Sequence, residues 1–281
     1  MRDEAAIICS QADPAGRNIA DRLQELRQWT AEEGYLSSGP WRLLIHDERQ
    51  TMLQGLDARL NGLGLEPEVV VFASRHEAKA GLPWLGGHFT GDSAARELSA
   101  ASAWGLQSFL QNVANMAPEG FRVSAEATHH GPTDMRTPCF FAEIGSSEPL
   151  WHNHSAGEAV AGAILALRRR DLPVFLGFGG GHYVQRQTEL MREAGIAFGH
   201  LFSSYQAGCL DADLVDKARR KSEASYAYMD RKSLPSADRK KIAGILEELG
   251  IPLLRGREIR DRFPLPERDQ EDAEGIDRPR G

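Results

Sequence analysis

Two of the chain's nine histidines stand side by side in Glu126–Thr133, EATHHGPT. Adjacent residues on a strand point to opposite faces, so His129 and His130 can enter one cleft only if the strand has ended before them. Gly131-Pro132 is a turn signal that ends it. Three other stretches share this form, a strand end followed by polar or histidine-bearing residues: Ser74-Arg75-His76-Glu77, Glu143-Ile144-Gly145-Ser146-Ser147, and Gly177–Tyr183. Ligands of open α/β sheets sit at the carboxyl ends of strands, so four such ends can converge on one cleft. Neutral imidazole binds metals and acts as a general base near pH 7. His129, His130 and His182 are therefore candidate ligands or bases, joined by His88, which glycines bracket. Glu126 and Glu143 are candidate carboxylates for orienting an imidazole. Taken singly, each histidine also fits a satisfied core or loop position. His152 and His154 have HxH spacing but read as a surface loop before a helix start.

The run Gly179-Gly180-Gly181 bares backbone N–H groups that suit a phosphate, a carboxylate or an oxyanion; a tight strand-to-helix turn explains it equally well. Familiar motifs fail. His76-Glu77 begins like HExxH, but Ala80 stands where the second histidine belongs. His182 takes the place of the last glycine in a GxGxxG pattern, and neither GxxxxGK[ST] nor GxSxG occurs.

The elements that must position these residues alternate short apolar strands with amphipathic helices, an α/β pattern with a mixed or mostly parallel sheet flanked by helices. Strands are expected at Ala5–Cys9, Trp41–His46, Val69–Ala73, Trp84–Thr90, Phe121–Thr128, Cys139–Ile144, Val174–Phe178 and Ile196–Phe202. Helices are expected near Asn18–Gln28, Ala94–Met116, Ala156–Arg170, Gln187–Ala194 and Lys240–Leu249. Residues 1–263 read as the folded domain, with room for two intertwined subdomains, and 264–281 as a charged, disordered tail. No internal repeat is present.

The three cysteines, Cys9, Cys139 and Cys209, form no CxxC pair, which argues against a zinc ribbon or a disulfide framework and fits a reducing, cytoplasmic setting. No apolar run approaches the roughly 18 residues of a membrane span. The formal net charge of −7 argues against indiscriminate nucleic-acid binding while leaving room for a local basic face. Four clusters offer one: Arg168-Arg169-Arg170, Lys217 to Lys221, Arg231-Lys232 and Arg239-Lys240-Lys241.

EATHHGPT, FFAEIGSSEPLW, GFGGGHYVQR and SRHEAKAGLP with GHFTGD resemble segments of the archaeal and plant-type D-aminoacyl-tRNA deacylases. The opening CSQADPAGRNIADRL and the later GHLFSSYQAG and KSLPSADRKKIAGILEELGI extend the resemblance over about Ala5 to Ile251. The chain departs from the family pattern at Asp92 and Gln185 and slightly in EPLW.

The resemblance implies a fold like that of peptidyl-tRNA hydrolases and phosphorylases. It implies hydrolysis of D-aminoacyl-tRNA to free D-amino acid and tRNA, with Zn(2+), two ions per subunit, as cofactor. On this reading His129, His130, His182 and Glu126 are catalytic, and His129, His130, His182, His88 and Glu143 hold metal. Substrate is bound by Ser146, Gly179, Gly180, Gly181, Tyr183, Arg75, His76 and Thr128, and tRNA by Lys217, Arg219, Arg220 and Lys221. Metal-free chemistry assisted by the vicinal ribose hydroxyl stays open. So do a metal-dependent hydrolase or phosphorylase of a small nucleoside-like substrate and a non-catalytic RNA-binding protein. Monomer and homodimer fit equally.

Overall fold

The computed structural model describes residues 4–265, so nearly all of the tail expected at 264–281 lies outside the described residues. Among those residues the strands are β1 (Ala5–Ser10), β2 (Thr30–Glu32), β3 (Tyr35–Ser38), β4 (Trp41–His46), β5 (Val69–Arg75), β6 (Trp84–His88) and β7 (Gly91–Asp92). They continue with β8 (Glu97–Leu98), β9 (Arg122–Ala125), β10 (Cys139–Gly145), β11 (Val174–Phe178), β12 (Ala197–Phe202), β13 (Tyr226–Met229) and β14 (Leu253–Leu254). The helices are α1 (Pro14–Leu26), α2 (Leu56–Gly62), α3 (Ala103–Met116), α4 (Glu148–Trp151) and α5 (His154–Leu165). After them come α6 (Gln185–Glu193), α7 (Ala212–Ser222), α8 (Ser236–Glu248) and α9 (Gly256–Arg262).

The fold is α/β with a mixed, mostly parallel arrangement. An eight-stranded sheet has the order β2-β3-β4-β1-β5-β10-β6-β9, and a four-stranded sheet the order β12-β11-β13-β14. β4, β1, β5 and β10 run parallel, β6 is antiparallel to β10, and every pairing of the second sheet is parallel. The central strands β1 and β10 are buried along their whole length, and β5 is buried up to Arg75. That burial on both faces explains their near-continuous apolar runs.

Alternate side chains divide two cores. Ile7, Val71, Phe140 and Ala142 face α1, α3 and α5, whereas Ile8, Val70, Phe72 and Phe141 face α2. Glu143 stands two residues beyond Phe141, on the α2 face, so a carboxylate continues an apolar stripe. The first core runs unbroken onto one face of the second sheet, through Phe175, Phe198 and Tyr228. Leu176, Phe178 and Met229 on its other face meet Leu214 of α7 and Ile242 of α8.

Several boundaries differ from the sequence expectation, each for a local reason. The helix expected from Ala94 starts at Ala103, because Asp92 accepts the Ala94 and Ala95 amides and closes a tight β7–β8 hairpin with Arg96 in a left-handed conformation. The strand expected over Phe121–Thr128 is only Arg122–Ala125, since the Glu126 amide is the last to meet β6, at Gly87, and the Ala127 and Thr128 amides turn to the carbonyls of His182 and Leu201. The helix expected from Asn18 begins at Pro14, where Asp13 caps the Gly16 amide at 2.9 Å. The helix expected at 156–170 is His154–Leu165, capped by Asn153.

The opening motif is structural. Asp13 also accepts the Arg75 amide at 3.2 Å, tying α1 to the end of β5. Asn18 donates to the carbonyls of Trp151 at 3.0 Å and Asn153 at 2.9 Å, and its amide fills the space over Gly157 where α1 crosses α5. Thr128, expected at the substrate, serves the seam between the sheets instead. Its hydroxyl donates to His200 Nδ1 at 3.1 Å and accepts the Leu201 amide, while His200 Nε2 donates to the Ser99 carbonyl at 3.0 Å. Full burial pushes His200 down to about 4, so it is neutral in this role. Replacing Asn18 with alanine is expected to cost about 1–3 kcal/mol, read as a lower urea midpoint; an unchanged midpoint would mean that the bracket between α1 and α5 carries no stability.

Candidate active site

Five segments deliver side chains to one cleft beside the carboxyl ends of β5, β10 and β11. His76 follows β5, and its amide donates to the Ile144 carbonyl at 2.9 Å. Glu143 comes from β10 and His88 from the end of the antiparallel β6. Glu126, His129 and His130 lie in the segment after β9, and His182 in the loop after β11. The His182 carbonyl accepts the Ala127 amide at 2.9 Å, which joins the last two segments.

Both adjacent histidines face the cleft. The strand ends before Glu126, and His130 takes a positive φ of 38°, so the alternation that would have separated them is broken. Their ring centroids are 4.4 Å apart, and they lie 4.0 and 4.6 Å from the His88 ring. Gly87 is what lets β6 come close enough to bring His88 there: a Cβ on it would lie 2.1 Å from the Phe141 carbonyl oxygen.

Each of the three rings directs its Nδ1 at a backbone carbonyl. His88 donates to Phe89 at 3.0 Å, His129 to Ala127 at 2.8 Å and His130 to Gly131 at 2.8 Å. A carbonyl only accepts, so Nδ1 carries the proton and Nε2 presents its lone pair. Burial lowers all three, His129 to about 3 and His88 well below its ordinary range, with the neighbouring imidazoles lowering His88 and His129 further. They are neutral at pH 7, which is the ligating form.

The carboxylates complete the arrangement. Glu126 is fully buried and Glu143 is 2% exposed. Both Glu126 oxygens and His88 Nε2 lack a hydrogen bond among the described residues. His182 Nε2 and His76 Nδ1 approach Glu126 Oε1 at 3.0 and 3.2 Å without the direction of a hydrogen bond, and Glu143 lies 3.7 Å from His88 Nε2. Burial raises Glu143 well above the usual carboxylate range, and the nearby Glu126 raises it further. Three donor groups have atoms within 4.8 Å of one another: His88 with His129 and His130, His76 with Glu126 and His182, and His88 with Glu126 and Glu143. Orphaned buried oxygens, neutral imidazoles and carbonyl-anchored Nδ1 protons together fit a divalent cation.

Half exposed at the mouth, His182 is the one histidine here that is raised, by its contact with the Glu126 carboxylate and against the effect of its burial. Tyr183 meets His76 Nε2 at 2.8 Å. A cavity of about 360 Å³ opens beside it, walled by Leu82, Trp84, Val123 and Ser146.

His76 belongs to the His/Glu group itself, where sequence reasoning had only a substrate contact; a histidine directly after a buried strand, one register from Glu143, was the available signal. The glycine run is not a free nest. Gly179 donates its amide to the Phe202 carbonyl at 2.8 Å and Gly180 to Ser233 Oγ at 2.6 Å, which leaves only Gly181 of the three without such a bond. Ser146 spends its proton on the Leu82 carbonyl at 2.9 Å. Arg75 stacks 4.9 Å over Trp151. His152 and His154 lie outside the cluster. Of the α7 residues, Arg219 and Arg220 bind Asp216, and Lys217 Nζ donates to the Arg96 carbonyl.

The profile of a family described as D-aminoacyl-tRNA deacylase matches residues 63–254. Curated relatives called D-aminoacyl-tRNA deacylase include one from Methanothrix thermoacetophila, 45% identical over 92% of this chain and 98% of that protein. Another, from Methanosarcina acetivorans, is 40% identical over 92% of this chain and 94% of its own length. The crystal structure of a conserved protein of unknown function, AF0625, superposes with a TM-score of 0.87 at 30% identity, covering 94% of this chain and 99% of that one.

The buried carboxylate pair gives a stability test. Glu143 has a folded pKa above its unfolded value, so the folded chain binds more protons and metal-free stability falls as pH rises from about 4.3 through the raised value. Glu143→Gln removes that penalty. Metal-free Glu143→Gln protein is expected to melt higher than wild type at pH 8, with a smaller difference at pH 5. A variant that melts lower at pH 8 would mean that the Glu143 charge is compensated.

Proposed function

The chain belongs to the D-aminoacyl-tRNA deacylase family, and from that membership we propose that its His/Glu cleft hydrolyses the ester joining a D-amino acid to the terminal ribose of tRNA. The observation that carries the reading is the set of three neutral imidazoles with fixed tautomers beside two buried carboxylates. Nothing in a purely structural core requires Glu126 to keep both oxygens unpartnered.

In the reaction, water oxygen adds to the acyl carbonyl carbon, the bond from that carbon to the ribose oxygen breaks, and the ribose oxygen leaves with a proton. His182 is the proton carrier. It reaches solvent, and the Glu126 carboxylate 3.0 Å from its Nε2 favours its charged form, so it takes a proton from the attacking water and returns one to the ribose oxygen. His88, His129, His130 and Glu143 would hold Zn(2+), with Glu126 and His76 at the adjoining donor group. Bound there, the ion supplies Lewis acidity that eases attack on a carbonyl. Tyr183 fixes His76 and borders the 360 Å³ cavity, whose apolar wall of Leu82, Trp84 and Val123 suits the side chain of the D-amino acid.

Incubation of purified protein with D-tyrosyl-tRNA and L-tyrosyl-tRNA tests the proposal. The expected result is selective loss of the D-ester, abolished by chelator and restored by zinc. Loss of neither ester by folded protein would overturn it. D-selective loss indifferent to chelator, with no bound metal detected, would keep the reaction and transfer the chemistry to the vicinal ribose hydroxyl. His182→Gln is expected to lower kcat by about 10²–10⁴-fold with little change in KM. His129→Ala is expected to lower bound zinc measured by mass spectrometry; an unchanged zinc content would remove His129 from the ligands.

A further inference from the structure

Basic residues gather at two opposite edges of the second sheet. The C-terminal turn of α7, with Arg219, Arg220 and Lys221, lies where β11 and β12 begin; Arg220 and Lys221 share a cavity of about 1040 Å³ with Val174 and Ala197. Arg136, Arg169 and Arg170 line it too, against Glu68, Asp171 and Glu223; Glu68 takes Arg169, and Asp216 takes both Arg219 and Arg220. The other gathering is a groove of about 660 Å³ at the carboxyl ends of β13 and β14, between α6 and α9. Arg186, Arg231, Lys232, Arg255 and Arg260 line it against two carboxylates, Asp230 and Glu258. Arg186 and Arg260 are held by Glu189 and Glu193. Arg231, Lys232 and Arg255 have no ion-pair partner among the described residues, in a chain whose formal charge is −7.

This second groove adjoins the chemistry. The turn that carries Arg231 and Lys232 is docked on the loop that carries His182: Asp230 donates its amide to the Phe178 carbonyl at 2.8 Å, and Ser233 Oγ accepts the Gly180 amide. Arg186 sits on the first turn of α6, directly after that loop. The scissile ester is at the very end of an RNA strand, so the phosphates that position it must lie on the edge of the protein that holds the cleft.

Resting on the deacylase reading, we propose that the groove between α6 and α9, with Arg231 and Lys232 among its unpaired cations, binds phosphates of the acceptor end of the RNA, and that the strand does not cross the C-terminal turn of α7. Phosphate contacts of this kind fix position without reading sequence. They make affinity fall with salt, by a slope of about 0.7–0.9 for each contact.

The test compares the full-length chain with its Arg231→Glu/Lys232→Glu and Arg219→Glu/Arg220→Glu variants. Three quantities are measured: the salt dependence of uncharged tRNA binding, KM and kcat on D-tyrosyl-tRNA, and turnover of the D-tyrosyl ester of adenosine, which has no phosphate. The groove variant is expected to raise Kd and KM at least about tenfold and to reduce the salt slope by about 1–2. Its kcat and its turnover of the adenosine ester should stay at wild-type values, which also shows that it is folded. The α7 variant is expected to change Kd less than about threefold. Wild-type Kd and slope in the groove variant would overturn the proposal, as would a larger loss in the α7 variant; if the groove variant fails to turn over the adenosine ester, Arg231→Gln/Lys232→Gln decides by the same criteria. Failure of the wild type to hydrolyse either ester, with groove-dependent tRNA binding intact, would sink the deacylase reading and leave the RNA surface standing.

Discussion

Two carboxylates, Glu126 and Glu143, are held in the interior with no lysine or arginine paired to them among the described residues. A buried charge of that kind is costly unless something compensates it, and the surrounding architecture is arranged around the compensation. Three imidazoles point their Nδ1 protons at backbone carbonyls and turn their lone pairs inward. His182 and His76 close over one carboxylate oxygen from the solvent side. Gly87 of β6 lets the antiparallel strand press against β10, so that His88 arrives beside Phe141. Each feature alone resembles ordinary packing, but together they describe a polar interior with the donors to hold a cation.

The distribution of exposure divides labour within the cluster. His88 and Glu126 are fully buried and Glu143 nearly so, whereas the side chain of His182 is 44% exposed. Deep groups with locked rotamers suit holding an ion, and a solvent-facing imidazole with a carboxylate behind it suits moving protons. The seam beside the cleft is kept rigid by other means. Thr128 donates to His200 across the sheets, and Gln206 donates to the Thr128 carbonyl at 2.8 Å. The segment carrying His129 and His130 is therefore anchored from behind.

Much of this was legible in residue patterns. Buried parallel strands announce themselves as apolar runs, and β1, β5, β10 and β11 lie within a residue or two of the sequence expectation. A carboxylate inside CFFAEIG and paired histidines before Gly-Pro were visible anomalies. What stayed hidden depends on contacts distant in sequence. Nothing near Gly179 and Gly180 says that their amides are taken by Phe202 and Ser233. Nothing near Thr128 says that His200 claims its hydroxyl. The helix boundary at Ala103 was misplaced because Ala94-Ala95 reads as helical, while Asp92 turns that segment into a hairpin. The short strands β13 and β14 and the helix α9, which build the far end of the second sheet, carry too little periodicity to be identified alone.

The Ser233 hydroxyl accepts the Gly180 amide and donates to the Asp230 carbonyl at 2.8 Å. One small side chain thus fastens the turn bearing Arg231 and Lys232 to the loop bearing His182. Over evolutionary time the two segments are not free to drift apart: an insertion that re-aimed the turn would also re-aim the imidazole. The groove proposed to grip a nucleic acid and the imidazole proposed to serve its ester are thereby inherited as one part, which leaves new specificity to arise at the rim of the cleft and not by exchanging a binding arm.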